Sequence, residues 1–104
     1  MIRVSAIYLE QEGSHFDFDY YLGSHTAFAR RILAPYGLTE IRTLRGIASL
    51  DGASPSAPII AEMVFTDRES FDRGLAAIGG DLFADIQNYT NLTPTLQISE
   101  LVAD

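Results

Sequence analysis

The 104-residue chain contains neither cysteine nor lysine. Without cysteine there is no disulfide framework, no thiolate nucleophile and no sulfur-ligated metal. Without lysine there is no side-chain Schiff base. Basic charge is equally sparse: seven arginines stand against fourteen acidic residues, giving a net charge of −7, and only Arg30 and Arg31 are neighbours. A surface that tracks phosphates needs clustered cations, so nucleic acid and anionic membranes are excluded as expected partners. No apolar run approaches the roughly 20 residues that span a bilayer, and the opening "MIRVSAIYLE" alternates rather than forming the apolar region of a signal peptide. A cytoplasmic protein is expected. The two histidines lack a spaced metal partner, the Gly79-Gly80 pair lacks the spacing of a phosphate-binding loop, and no GxSxG elbow occurs. No metal site is expected.

The composition, 47% apolar and 20% charged, is that of an ordinary globular chain, and its length suits one domain over 1–104. "IRVSAIYL" alternates as a strand over 2–9. From Asp17 to about Ala34, Phe18, Leu22, Ala29, Ile32 and Leu33 recur at helical spacing, with Tyr21 and Phe28 flanking the stripe. Asp17 suits the N-cap, Asp19 the first turn, and Pro35 with Gly37 the stop. Strands are expected over 38–50 and 59–66, separated by the turn "DGASPSAP". A second helix opens at Asp67 and is expected to stop at Gly79-Gly80, followed by a short helical piece over 81–86 and a last strand over 93–102.

The order β, α, β, β, α, β predicts an α+β, ferredoxin-like fold, a four-stranded antiparallel sheet with both helices on one face. Strands one and three carry apolar residues on both faces, so the uncovered face calls for a second copy of the chain, a homodimer through the sheet.

"FDFDYYLGSH" (16–25) packs four of the eleven aromatics into six residues. At 100° per residue His25 falls inside the apolar stripe, so it is expected to be at least half buried. Two readings stay open. His25 is a core histidine satisfied by the Tyr21 hydroxyl or a backbone carbonyl, or it is a general acid or base tuned by apolar surroundings. Tyr20 and Tyr21 are consecutive on a helix and cannot both enter one core, so one faces something else. Gly23 in mid-helix suggests close packing against an unnamed partner. Arg42 and Arg45 suit either a solvated edge or a carboxylate site. In "QNYTNLTP", Asn88, Tyr89 and Thr90 suit either turn hydrogen bonds or the rim of an apolar pocket.

With these motifs, "FDFDYYLGSH" and "DIQNYTNLTPTLQISEL", joined by a Gly/Ser/Pro-rich loop, the chain resembles the EthD family of the dimeric α/β-barrel superfamily, named for a role in ethyl tert-butyl ether degradation. The resemblance implies two ferredoxin-like subunits packed sheet to sheet. It further implies an apolar cavity in each subunit, between sheet and helices or within the shared barrel. It carries the family's helix histidine onto His25, its tyrosine pair onto Tyr20 and Tyr21, and its NYT segment onto Asn88, Tyr89 and Thr90. Relatives on this architecture include cofactor-free monooxygenases, isomerases, cyclases and haem-binding enzymes, so the fold alone does not choose a reaction. The expectation is an enzyme of oxidoreductase or isomerase/cyclase type acting on an apolar or aromatic metabolite. His25 and Tyr21 would be catalytic, with Tyr20, Phe28, Asn88, Tyr89 and Thr90 around the ligand, and no cofactor. A non-catalytic hydrophobic-ligand-binding module is the alternative, and haem bound through His25 ranks below both.

Overall fold

The computed structural model describes residues 1–102; Ala103 and Asp104, which the single-domain expectation included, lie outside the described residues. Four strands form one antiparallel sheet in the order β2-β3-β1-β4: β1 (Ile2–Tyr8), β2 (Leu38–Arg45), β3 (Ile59–Phe65) and β4 (Thr95–Glu100). A continuous helix, α1, spans 18–33, and α2 spans Arg68–Ala84. The ferredoxin-like α+β architecture expected from the sequence is the one observed.

In α1 the Asp17 carboxylate caps the first turn by accepting from the Tyr20 backbone N–H at 3.0 Å. The middle of α1, Tyr21–His25, is π-helical, with the Thr26 N–H bonded to the Tyr21 carbonyl five residues back. This widened turn changes the buried stripe. Tyr21, His25, Ala29 and Leu33 face inward, whereas Leu22, expected inside from a uniform 100° step, is exposed. Regular i, i+4 spacing on an α-helix drifts about 40° per step, and one wide turn takes up that drift. Gly23 lies on the outer side with no neighbour near the place a Cβ would occupy, so it serves no close packing.

Other boundaries differ from expectation, and β4 is shorter than the expected 93–102, spanning Thr95–Glu100. β2 stops at Arg45 rather than 50, because Pro58, next across the hairpin, has no N–H to continue the ladder. The second helix runs through Gly79 and Gly80 to Ala84, and a 3-10 turn, Asp85–Asn88, takes the place of the separate helical piece. Neither glycine has positive φ, and Ile78 and Leu82 continue the packed face across them. That burial offsets the roughly 1 kcal/mol each glycine costs in a helix. Gly74 does have a packing role, because a Cβ there would stand 2.8 Å from Tyr36 Cβ, where the end of the first helical unit meets α2.

The helices cover the sheet face presented by Val4, Ala6, Tyr8, Ile59, Ala61 and Phe65. The core has two lobes. One is wholly apolar, around Val4, Leu33, Phe65 and Phe71; the other is rich in tyrosine, around Tyr8, Tyr21 and Tyr89. The aromatic lobe forms because the segment after β1 pairs with the segment before β4. Phe16 and Thr90 make an isolated antiparallel bridge, and the Asp17 N–H donates to the Tyr89 carbonyl at 2.7 Å. Two motifs some seventy positions apart thus meet edge to edge.

The opposite sheet face carries Ile7, Ile60 and Leu44 at one end. It is less apolar than expected, since Arg3 and Glu62 form an ion pair at 3.6 Å within it. The Arg3 Nε is buried there without a hydrogen-bond partner among the described residues.

Candidate active site

The aromatic lobe holds a polar string. His25, only 8% exposed, places Nδ1 2.7 Å from the Asp85 Oδ2. Asp85 sits at the end of α2, on the first residue of the 3-10 turn, and its other oxygen accepts from the Tyr20 hydroxyl at 2.7 Å and from Asn88 Nδ2 at 2.9 Å. On the far side of the imidazole, Nε2 lies 3.4 Å from the Tyr89 hydroxyl, which is 2.6 Å from the Tyr8 hydroxyl. The string therefore runs Asp85, His25, Tyr89, Tyr8, from the end of α2 past the middle of α1 to the last residue of β1.

Its electrostatics follow from burial. Burial works to raise the Asp85 carboxyl, but hydrogen bonds from Tyr20, Asn88 and His25, together with the imidazolium charge, hold it below the ordinary carboxylate range. Burial pushes the Tyr8, Tyr21 and Tyr89 hydroxyls up, so all three stay protonated. The Tyr20 hydroxyl is raised chiefly because it donates to Asp85. An ionised carboxylate only accepts, so Nδ1 carries a proton and donates to Asp85; in the neutral ring Nε2 is then the acceptor and takes the Tyr89 O–H. Tyr89 in turn accepts from Tyr8. When Nε2 gains a proton the direction reverses: His25 donates to Tyr89, and Tyr89 to Tyr8.

Beside the string lies a cavity of about 50 Å³ between sheet and helices. Tyr8, Tyr21 and His25 border it, with Ala6, Ala61 and Leu96 among its apolar walls. The structure brings together His25, Tyr21, Tyr20, Asn88 and Tyr89 of the residues singled out in the sequence, but it divides them differently. Tyr21 does not reach a nitrogen of His25; its ring stacks on the imidazole at 5.3 Å and 24°. The hydroxyl that faces His25 belongs to Tyr89. Tyr89 itself is 1% exposed and stands behind the cavity rather than on its rim. Tyr20 and Asn88 hold Asp85 from outside and do not border the cavity.

Phe28 and Thr90 do not border the cavity beside His25, although Phe28 lines a separate surface hollow with Asp85 and Asn88. Phe28 packs under the Arg31 guanidinium, 5.5 Å from its ring centre, because its position falls on the outer side of α1. Thr90 ties two loops, donating to the His15 carbonyl at 2.6 Å and accepting from the Leu92 N–H at 3.1 Å. Arg45 lies over the Phe18 ring at 4.0 Å and Arg42 pairs with Glu40, so neither borders the cavity.

Two members of the string escaped the sequence reading. Asp85 lay in a stretch read as a short independent helix, and its partner is sixty positions away. Tyr8 fell on the buried face of β1, where a tyrosine reads as core. The signal available for both was a polar tip on an inward position, which demands a partner somewhere. Among the described residues no group of three or more acidic or histidine side chains is arranged to hold a metal, and no helix is long and apolar enough to cross a membrane.

No family model matches the chain, and no curated protein matches it. Solved structures do. An EthD-like protein from Ralstonia eutropha JMP134 superposes with a TM-score of 0.90 at 31% identity, covering 99% of this chain and 93% of its own. An ethyl tert-butyl ether D (EthD) family protein from Bacillus halodurans C-125 gives 0.78 at 25% identity, covering 98% and 99%. The cofactor-independent oxygenase SnoaB from Streptomyces nogalater shares the fold, at 0.64 and 16% identity over 99% of this chain and 93% of its own. Near-complete coverage at 31% identity settles the family: the chain belongs to the EthD-like proteins of the dimeric α/β-barrel superfamily.

Proposed function

We propose that the protein is a small-molecule enzyme whose chemistry is proton transfer at His25, carried out on an apolar or aromatic substrate without a cofactor. The observation that carries this is His25, buried and bordering a mostly apolar cavity, with its Nδ1 held 2.7 Å from the carboxylate of Asp85, which does not itself border the cavity. Asp85 holds the ring with Nδ1 protonated and stabilises the imidazolium that forms when Nε2 takes a proton. The proton reaches Nε2 directly from a ligand, or from a ligand hydroxyl through Tyr8 and Tyr89, whose raised hydroxyls pass protons along without ionising. Tyr20 and Asn88 position Asp85. Removal of a proton from an activated substrate is the first step of isomerisation and cyclisation, and of an oxygenation such as SnoaB's name describes. The fold does not decide among them.

A second reading, a carrier of hydrophobic ligands, is favoured by the apolar character of the rest of the cavity wall. Haem does not fit these residues, since a cavity of about 50 Å³ beside His25 does not admit a macrocycle. A working homodimer in the cytoplasm belongs to the same proposal. Its support is the sheet face where exposed Leu44 stands beside the half-buried Ile7 and Ile60, and an Arg3 Nε with no hydrogen-bond partner among the described residues. The test is a panel of small phenols and enolisable ketones followed by NMR for deuterium exchange and new products. Turnover by the wild type that His25→Gln and Asp85→Asn lose, while still binding the compound, supports the enzyme. Binding with no turnover, unchanged in His25→Gln, leaves the carrier.

A further inference from the structure

The cavity beside His25 is not closed at the α2 side. Met63, Leu82, Phe83 and Leu96 border it and also border a second, larger hollow of about 170 Å³ between α2 and β4, completed by Val4, Phe71, Leu75 and Ile98. Every residue around this hollow is apolar. Its outer lip is open to solvent: Leu75, Phe83, Leu96 and Ile98 are 37–47% exposed although each points between a helix and the sheet it covers. Ordinary packing would bring α2 down onto β4 and bury these four side chains. Here the helix stands off the edge strand, and the gap leads to the polar string.

We infer that the ligand is a neutral, two-part molecule, one hydroxyl or carbonyl oxygen at one end and a ring-sized apolar group at the other. The oxygen enters beside His25 and Tyr8, and the apolar group lies in the cleft between α2 and β4. This rests on the reading of His25 as the site of proton transfer and adds the substrate class. Size and charge both point to it. A dry cavity of about 150 Å³ lined by Leu, Ile and Phe takes up benzene, so the cleft matches one ring, whereas the chamber at His25 holds a polar head group at most. No arginine borders either space, and the one side chain there that can carry a positive charge, His25, is already paired with Asp85 at 2.7 Å, so a carboxylate or phosphate would be stripped of water with no unpaired cation to meet it. Met63, at the junction, is the unbranched side chain best able to adapt to different occupants.

The test uses 2-phenylethanol and phenylacetate, which share a carbon skeleton and differ in charge at pH 7. Binding is read from the methyl resonances of Leu75 and Ile98 and the ring resonances of His25. The alcohol is expected to shift both sets, with phenylacetate at least tenfold weaker. Ile98→Trp, on a half-exposed edge strand, fills the cleft, and Leu75→Asp places a charge in it; each is expected to weaken 2-phenylethanol at least tenfold. Equal binding of alcohol and anion, or alcohol binding that neither variant alters, overturns the inference while shifts at His25 leave proton transfer standing. Methyl shifts without a His25 shift overturn both the orientation and the proton-transfer reading. If Ile98→Trp changes dimer dissociation and not ligand binding, the cleft is a subunit contact and the inference falls.

Discussion

Replacing Asp85 with asparagine should invert the proton arrangement of His25 while leaving the fold in place. The carboxylate makes three hydrogen bonds, to His25 Nδ1 at 2.7 Å, Tyr20 at 2.7 Å and Asn88 at 2.9 Å. Asparagine keeps one carbonyl for Tyr20 and Asn88 but presents an N–H to Nδ1, so the neutral ring must move its proton to Nε2 and donate to Tyr89. The Asn88 bond is exposed and water replaces it, which leaves two bonds to a charged acceptor that become neutral or reversed. At about 0.5–1.5 kcal/mol lost for each, the variant should be about 1–3 kcal/mol less stable. At about 4–8 °C per kcal/mol for a domain near this size, the midpoint should fall by about 5–20 °C. Any turnover should fall by about 10²–10⁴, the usual worth of a positioned acid or base. The decisive assay is the imidazole nitrogen spectrum, which separates the two tautomers irrespective of substrate. An unchanged Nδ1–H form in Asp85→Asn would refute the reasoning, because the ring would then owe its state to something other than the carboxylate.

The remaining predictions concern the same string and the sheet. Because the Asp85 carboxyl is held below its ordinary value, its stabilisation is complete above the unfolded pKa of about 4 and is lost as pH falls through the lower folded value; Asp85→Asn should flatten the acid limb of a stability profile below about pH 4, measured by urea unfolding. Tyr8→Phe should leave Tyr89 bonded to His25 and cost about 0.5–1.5 kcal/mol for the one buried hydrogen bond lost, with turnover reduced for hydroxyl-bearing substrates more than for others. Gly23→Ala should raise stability by up to about 1 kcal/mol, since the added methyl meets nothing and the backbone there has negative φ; a loss of stability would mean that the π-helical turn itself depends on glycine. Leu44→Glu, on the open sheet face, should shift sedimentation from dimer toward monomer without changing the helix content.

The order of elements was legible because alternation and helical periodicity are local. β1, α1, β3 and the start of α2 are where the pattern places them, and the Asp17 cap was readable from one residue and its neighbours. What misled was also local. A uniform 100° step put Leu22 inside and made Tyr21 the partner of His25, because a sequence carries no mark of the single wide turn that re-aims both. The glycine pair at 79 and 80 read as a stop because propensity was weighed without the packing of Ile78 and Leu82 on either side.

By itself, then, the sequence determined the βαββαβ order, the sheet with helices on one face, and the burial of an ionisable ring in α1, since each follows from spacing along one short segment. The tertiary structure alone decided what that ring does. Asp85 and Tyr89 reach His25 across separations of 60 and 64 residues, Tyr8 joins from the first strand, and the stand-off of α2 from β4 opens the cleft. Such contacts are fixed by how elements pack, and a periodicity read along the chain holds no term for the distance between them.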